Sequence, residues 1–298
     1  MSTIYTHTNQ IDFTLSDIPS MPLPKGLLMV EPSFFSVDYV INPHMEGNIG
    51  TVDKAKAMRE WETIKEHYEK FGLVVHPIAG QPGLPDMVFC ANQSFPCLSP
   101  SGKKEVLMSI MHSPMRKLEV GFIEAWYREH GYEVHHLDAS QVTDFEGMGD
   151  AIWINGKRLL FGGYGYRSSL SAYDVICEKF DVPVVAFELV TPKFYHLDTC
   201  FCSLNEDSVL IYPAAFKPEG VAIIKKLFKN VIEANEYEAE ELFACNATCP
   251  DGKNVVIQKG CKQVNAELEK LGFVVHEVET EEFLKSGGSV FCMKMMVW

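Results

Sequence analysis

Apolar residues recur along this chain in two alternating rhythms. One is helical: Ala57, Trp61, Ile64 and Tyr68 fall three or four apart with charged residues between them, so they share one stripe of a helix. The other is a short β-rich run, Leu73-Val74-Val75-His76-Pro77-Ile78, which predicts a strand. The two meet at Gly72, a residue type that tolerates the left-handed conformation ending a helix. The same junction returns at Arg128-Glu129-His130-Gly131-Tyr132-Glu133-Val134 and at Glu269-Lys270-Leu271-Gly272-Phe273-Val274-Val275. A degenerate copy runs through Glu178-Lys179-Phe180-Asp181-Val182, and a further one through Lys226-Leu227-Phe228-Lys229-Asn230-Val231. Each copy is expected to close a helix at Gly, Asn or Asp and to enter a strand. Strands are also expected ahead of the helices, as at Val106-Leu107-Met108-Ser109 and Ser208-Val209-Leu210-Ile211-Tyr212.

Five strand, helix and strand units at similar spacing predict an α/β protein built as a closed radial array, one catalytic domain over residues 1–298. A doubly wound α/β sheet has the same alternation. Its usual dinucleotide fingerprint, Gly-x-Gly-x-x-Gly after a strand, does not occur here. In a radial array the loops at one end of the units converge on the axis. That convergence is expected to unite Asn92, Glu146, His196 and Cys292.

Composition narrows the partners. The formal net charge is −14 and no basic face is visible, which argues against nucleic acid and favours cationic small ligands. No apolar run approaches the roughly 20 residues of a membrane span. The opening Met1-Ser2-Thr3-Ile4-Tyr5-Thr6-His7 lacks a basic segment followed by an apolar one, so no secretory leader is expected. The nine cysteines are odd in number and irregularly spaced, which reads as a reducing cytoplasm rather than a disulfide framework. Cys200-Phe201-Cys202 and Cys245-Asn246-Ala247-Thr248-Cys249 lack the paired Cys-x-x-Cys spacing of zinc sites. No metal and no cofactor is expected, and a homo-oligomer is left open.

Candidate chemistry lies in four segments. Gly287-Gly288-Ser289-Val290-Phe291-Cys292 delivers a thiol after a glycine turn. His196-Leu197-Asp198 would place an imidazole and a carboxylate on one side of a strand. Phe145-Glu146-Gly147-Met148-Gly149-Asp150 sets acids around glycines that allow close backbone approach. Asp86-Met87-Val88-Phe89-Cys90-Ala91-Asn92 reads as a strand ending in Asn92, and its acid and amide can hold a planar, donor-rich cation. Beyond these, Gly162-Gly163-Tyr164-Gly165-Tyr166-Arg167 ends in an arginine suited to clamping a carboxylate. Thiol, imidazole and carboxylate together suit a cysteine-dependent hydrolase. The thiol, near ~8.5 when free, needs a cationic neighbour or a cationic substrate to ionise.

Taken together, the Glu-Gly…Gly-Asp, His-x-Asp and Gly-Gly…Cys segments resemble the guanidino-group-modifying superfamily. It includes arginine deiminases, dimethylarginine dimethylaminohydrolases, amidinotransferases and arginine dihydrolases. The resemblance runs from about Val30 to Cys292. It implies a five-bladed, pseudo-symmetric α/β propeller (pentein) of ββαβ-type units, with a small guanidino compound as substrate. By that resemblance Cys292 attacks the guanidinium carbon to form a covalent S-alkylthiouronium. His196 then protonates the departing amine and activates water, and Glu146 binds the guanidinium and supports His196. Asp198 looks like a second guanidinium ligand, and Arg167 like the holder of the α-carboxylate. Deiminases and dimethylaminohydrolases typically carry aspartate where this chain has Asn92. Together with Asn42 that departure looks like the dihydrolase branch, which takes arginine to ornithine, carbon dioxide and two ammonia. Arginine deiminase, dimethylaminohydrolase and amidinotransferase chemistry remain alternatives. So does a non-enzymatic relative, the ribosomal anti-association factor, which lacks the cysteine and histidine present here.

Overall fold

Helix formation follows the apolar stripe. Ala57, Trp61, Ile64 and Tyr68 are all buried on the Lys54–Lys70 helix, and each large side chain contributes on the order of 1.5–3 kcal/mol by leaving water. Asp53 caps that helix by accepting the Lys56 N–H at 2.9 Å. The structure, a computed structural model, describes residues 3–298. Met1 and Ser2, which open the segment read as lacking a leader, lie outside the described residues. No helix among the described residues is long and apolar enough to cross a membrane.

The described strands fall into five sheets. Each contains a parallel pair joined through a helix. Gly26–Val30 and Val74–Ile78 flank the Lys54–Lys70 helix, and Lys104–Met108 and Glu133–His136 flank Glu119–Glu129. Leu160–Tyr164 and Val184–Glu188 flank Leu170–Phe180, and Ser208–Ile211 and Asn230–Glu233 flank Pro218–Leu227. Asn254–Gln258 and Val274–Val278 flank Lys262–Lys270. An antiparallel leading strand runs beside three of these pairs: Ser94–Leu98, Ala151–Trp153 and Phe201–Ser203. In a fourth sheet its place is taken by a bridge between Thr248 and Val256. In the sheet that begins with Gly26 the leading strand is Met295–Val297, from the far end of the chain.

Burial falls across the sheets. The Gly26–Val30 strand is buried throughout, whereas Val74 on its parallel partner is 57% exposed. The gradient repeats from Ser208–Ile211 to Asn230–Glu233 and from Asn254–Gln258 to Val274–Val278. Val184–Glu188 departs from it because Ile4–Tyr5 pairs along its outer edge.

The structure alters three sequence expectations. Residues 86–92 are not a strand: Pro85–Val88 is a tight 3-10 turn and the strand begins at Ser94. Met87, Val88, Phe89 and Cys90 are all buried, so their alternation carried no information about faces. His196 and Asp198 do not share one side of a strand, because Leu197–Thr199 is another 3-10 turn. Of the five junctions, Gly72, Gly131, Asp181 and Gly272 have positive φ, but Asn230 does not; it opens its strand directly.

Candidate active site

The chemistry-bearing residues share one structural position. Each stands just before the leading strand of its sheet, in a tight turn. Asn92 precedes Ser94–Leu98, Glu146 precedes Ala151–Trp153, and His196 and Asp198 precede Phe201–Ser203. Cys292 precedes Met295–Val297, and Asn246 precedes the Thr248 bridge.

Cys292 is 3% exposed. Its Sγ donates to Asp198 Oδ2 at 3.2 Å and accepts from Asn246 Nδ2 at 3.2 Å. Asn246 also fixes the backbone, since its Oδ1 accepts from the N–H groups of Ser289 and Cys292. Burial, and then the Asp198 charge, push the thiol well above its ordinary range. Burial likewise pushes Asp198 up to about 7, against the Cys292 hydrogen bond and the Lys294 charge.

His196 Nε2 lies 2.6 Å from Glu146 Oε2. Burial would raise Glu146, but the hydrogen bond and charge of His196, with Arg167 and Arg116, outweigh it and hold the carboxyl at about 2. An ionised Glu146 orients the imidazole. Both Glu146 oxygens are engaged: Oε1 accepts from the His112 N–H at 3.0 Å, and Oε2 is shared with Arg167 Nη1 at 3.4 Å. Glycine is required beside this pair. A Cβ on Gly149 would stand 2.3 Å from Asn92 Nδ2, and one on Gly147, at φ +52°, 2.2 Å from the Ser94 carbonyl oxygen.

A pocket reaches Cys292 and His196 and is lined also by Asn42, Asp86, Asn92, Arg116 and Arg167. Most of their polar atoms are already spent. Asn42 donates to the Ser286 carbonyl and accepts from the His44 N–H. Asp86 accepts from Tyr39 Oη and Ser286 Oγ. Arg167 donates to the Ile41 carbonyl at 2.8 Å and lies over the Tyr195 ring. Two buried atoms of residues lining this pocket or touching the Cys292 thiol have no hydrogen-bond partner: Asn92 Nδ2 and Asp198 Oδ1. The first is a donor and the second an acceptor. The Asn92 orientation is fixed chemically, because its Oδ1 takes the Arg116 Nη1 hydrogen bond at 2.8 Å and a guanidinium can only donate.

Arg116 escaped the sequence reading, and Asn246 received no role in it. Arg116 is 4% exposed, bound by Glu119 and by the carbonyls of Asp86 and Phe89. Its spacing to Glu119, one helical turn, was the available signal. Asn246 had a subtler one: it occupies in its sheet the place that Asn92 and Cys292 occupy in theirs.

The fold and this thiol, imidazole and carboxylate pocket define an α/β protein of the guanidino-modifying, pentein type. A family model described as N,N dimethylarginine dimethylhydrolase, eukaryotic, matches residues 41–298. The chain belongs to that family of guanidino-modifying hydrolases. It is 35% identical over 274 residues to the bifunctional arginine dihydrolase/ornithine cyclodeaminase ArgZ of Synechocystis, covering 91% of this chain and 37% of that protein. The chain thus spans under two fifths of that bifunctional relative. It is 33% identical to the N(G),N(G)-dimethylarginine dimethylaminohydrolase of Mycobacterium tuberculosis, over 93% of this chain and 87% of the relative. Among solved structures, the N-terminal domain of ArgZ, in a cysteine-to-serine mutant bound to substrate, superposes with a TM-score of 0.84 at 34% identity, over 91% of this chain and 97% of that one. A dimethylarginine dimethylaminohydrolase with a TM-score of 0.75 at 21% identity shares the fold.

Proposed function

We propose that this chain is an arginine dihydrolase, a hydrolase that uses Cys292 to convert free L-arginine and two waters to ornithine, carbon dioxide and two ammonia. The observation that carries the reading is the free pair beside the thiol, Asn92 Nδ2 and Asp198 Oδ1. A guanidinium offers donors only, and Asp198 accepts them. The ureido group of citrulline offers N–H donors and a carbonyl acceptor, and so uses both atoms. An aspartate at position 92 would replace the free N–H donor by a second acceptor, whose lone pairs would oppose the ureido oxygen. The ArgZ relationship supports the same reading.

In this account the arginine guanidinium enters beside Asp198, pairs with its carboxylate and lowers the Cys292 thiol, whose proton passes to solvent before the thiolate attacks the guanidinium carbon. His196 protonates the leaving ammonia and then takes a proton from the water that cleaves the thiouronium. Arg167 reads the substrate carboxylate. The five sheets and their inward-graded burial fit the blades of a single propeller domain closed by Met295–Val297.

Two variants test the parts. Asn92→Asp is expected to leave the first hydrolysis running and to slow ornithine formation by about 10²-fold, the scale of an unpaired buried polar group, so that citrulline accumulates. Ornithine release at the wild-type rate would remove Asn92 from the second step. Arg167→Ala is expected to weaken kcat/KM for arginine by ~2–5 kcal/mol and to hurt agmatine, which has no carboxylate, far less. Equal losses on both would make Arg167 a structural residue. The reading as a whole is tested by offering the pure protein arginine, citrulline, dimethylarginine and agmatine separately. Turnover of arginine through to ornithine supports it. Turnover confined to dimethylarginine assigns the dimethylaminohydrolase activity instead.

A further inference from the structure

A second cavity lies behind the catalytic turns. It shares no lining residue with the pocket that reaches Cys292. The same short segments supply both, facing opposite ways. Phe291 and Lys294 line the second cavity on either side of Cys292, and Met148 lines it two residues from Glu146.

Its wall is almost wholly apolar, with Trp153, Ile152, Met148, Met296 and Phe291 facing Pro22 and its neighbours. The one charged side chain lining it, among the described residues, is Lys294. Lys294 is 1% exposed. No hydrogen bond or ion pair to its ammonium occurs among the described residues; Nζ instead lies over the Phe291 ring, 3.3 Å from the centroid. Burial lowers this amine to about 8, opposed by the charges of Cys202 and Asp198. Ser203 supplies a second donor. Its Oγ accepts from the Asn155 N–H at 3.1 Å, which leaves its own hydroxyl hydrogen for a ligand.

An ammonium with nothing to accept its hydrogens is costly to bury. The cavity's wall holds no carboxylate to serve it, in a chain whose net charge is −14. A cationic donor and a hydroxyl in the wall of a mostly apolar chamber select an anion with a hydrocarbon body.

We propose that this cavity is a binding site for a small monocarboxylate with an apolar body, its carboxylate held by Lys294 and Ser203 and its chain packed on Trp153 and Phe291. The site is separate from the substrate pocket and does not depend on which guanidino compound the protein hydrolyses.

Hexanoate is the probe, with hexan-1-ol and hexylamine as uncharged and oppositely charged controls, titrated calorimetrically into the whole chain. One hexanoate per chain is expected, with hexan-1-ol weaker by about tenfold or more and hexylamine not binding, the scale of a hydrogen bond to a charged group. Lys294→Met, close in shape, should weaken hexanoate by a similar factor and bring it level with hexan-1-ol. Ser203→Ala, a smaller change, should weaken hexanoate but not hexan-1-ol and so serves if Lys294→Met does not fold. Saturating the Cys292 pocket with arginine, in Cys292→Ser protein, should leave hexanoate binding in place. Absence of saturable binding, equal hexanoate affinity in the wild type and the variants, or displacement of hexanoate by arginine overturns the proposal.

Discussion

Cys292→Ser is expected to lower turnover of arginine by about 10⁴-fold or more while leaving the protein folded, the scale seen when a catalytic nucleophile is removed. The substitution changes one atom in a buried site. A serine hydroxyl can keep the contacts that Sγ makes with Asp198 and Asn246, each 3.2 Å long, so packing and melting temperature should scarcely move. Nucleophilicity does not survive. A hydroxyl ionises far less readily than a thiol, and Asp198 opposes any anion at that position. Substrate binding should persist, because the groups proposed to hold the guanidinium and the carboxylate are untouched. Wild-type protein quenched during turnover should carry a covalent adduct on Cys292 by mass spectrometry, and the variant none. Ammonia release near the wild-type rate from a folded Cys292→Ser protein would place the chemistry elsewhere.

His196→Ala is expected to cost about 10²–10⁴-fold in steady-state turnover, the range of a lost general acid–base group. One imidazole serves departure of ammonia and activation of water, so formation and breakdown of the adduct should both slow. The ring is held for this by Glu146 at 2.6 Å and packed beside Tyr195. Added imidazole should restore part of the activity of the variant, which a purely structural loss would not allow. Turnover that stays near wild type across pH would move the proton transfer to another group.

Much of the architecture was legible because it depends on local chemistry. Ala57, Trp61, Ile64 and Tyr68 marked a helix by their period, and Gly72, Gly131 and Gly272 marked its repeated end by tolerance of positive φ. Sequence misread the segments that form the pocket. Asp86 to Asn92 and His196 to Asp198 alternate like strands, yet both are 3-10 turns buried on every side. Burial on all faces removes the contrast between apolar and polar positions on which periodicity depends. Arg116 lies beside Met115 and Lys117 in a segment that reads as basic surface; only the distant carbonyls of Asp86 and Phe89 reveal that it is enclosed. Asn246 bears no charge and sits between two cysteines. Its hold on the Cys292 thiol and backbone depends on residues 43 and 46 positions further on. The contrast between Asn92 Nδ2 and Asp198 Oδ1 was equally invisible. Residue type gave an amide and a carboxylate, but which of their atoms were already occupied depended on Arg116 and Cys292.

The account stands most directly on where arginine hydrolysis stops. Wild-type protein should be incubated with arginine to completion, and ammonia, ornithine and citrulline quantified in the same sample. The account predicts two molecules of ammonia for every ornithine, with citrulline absent at the end. One molecule of ammonia for every citrulline, with no ornithine, would contradict it.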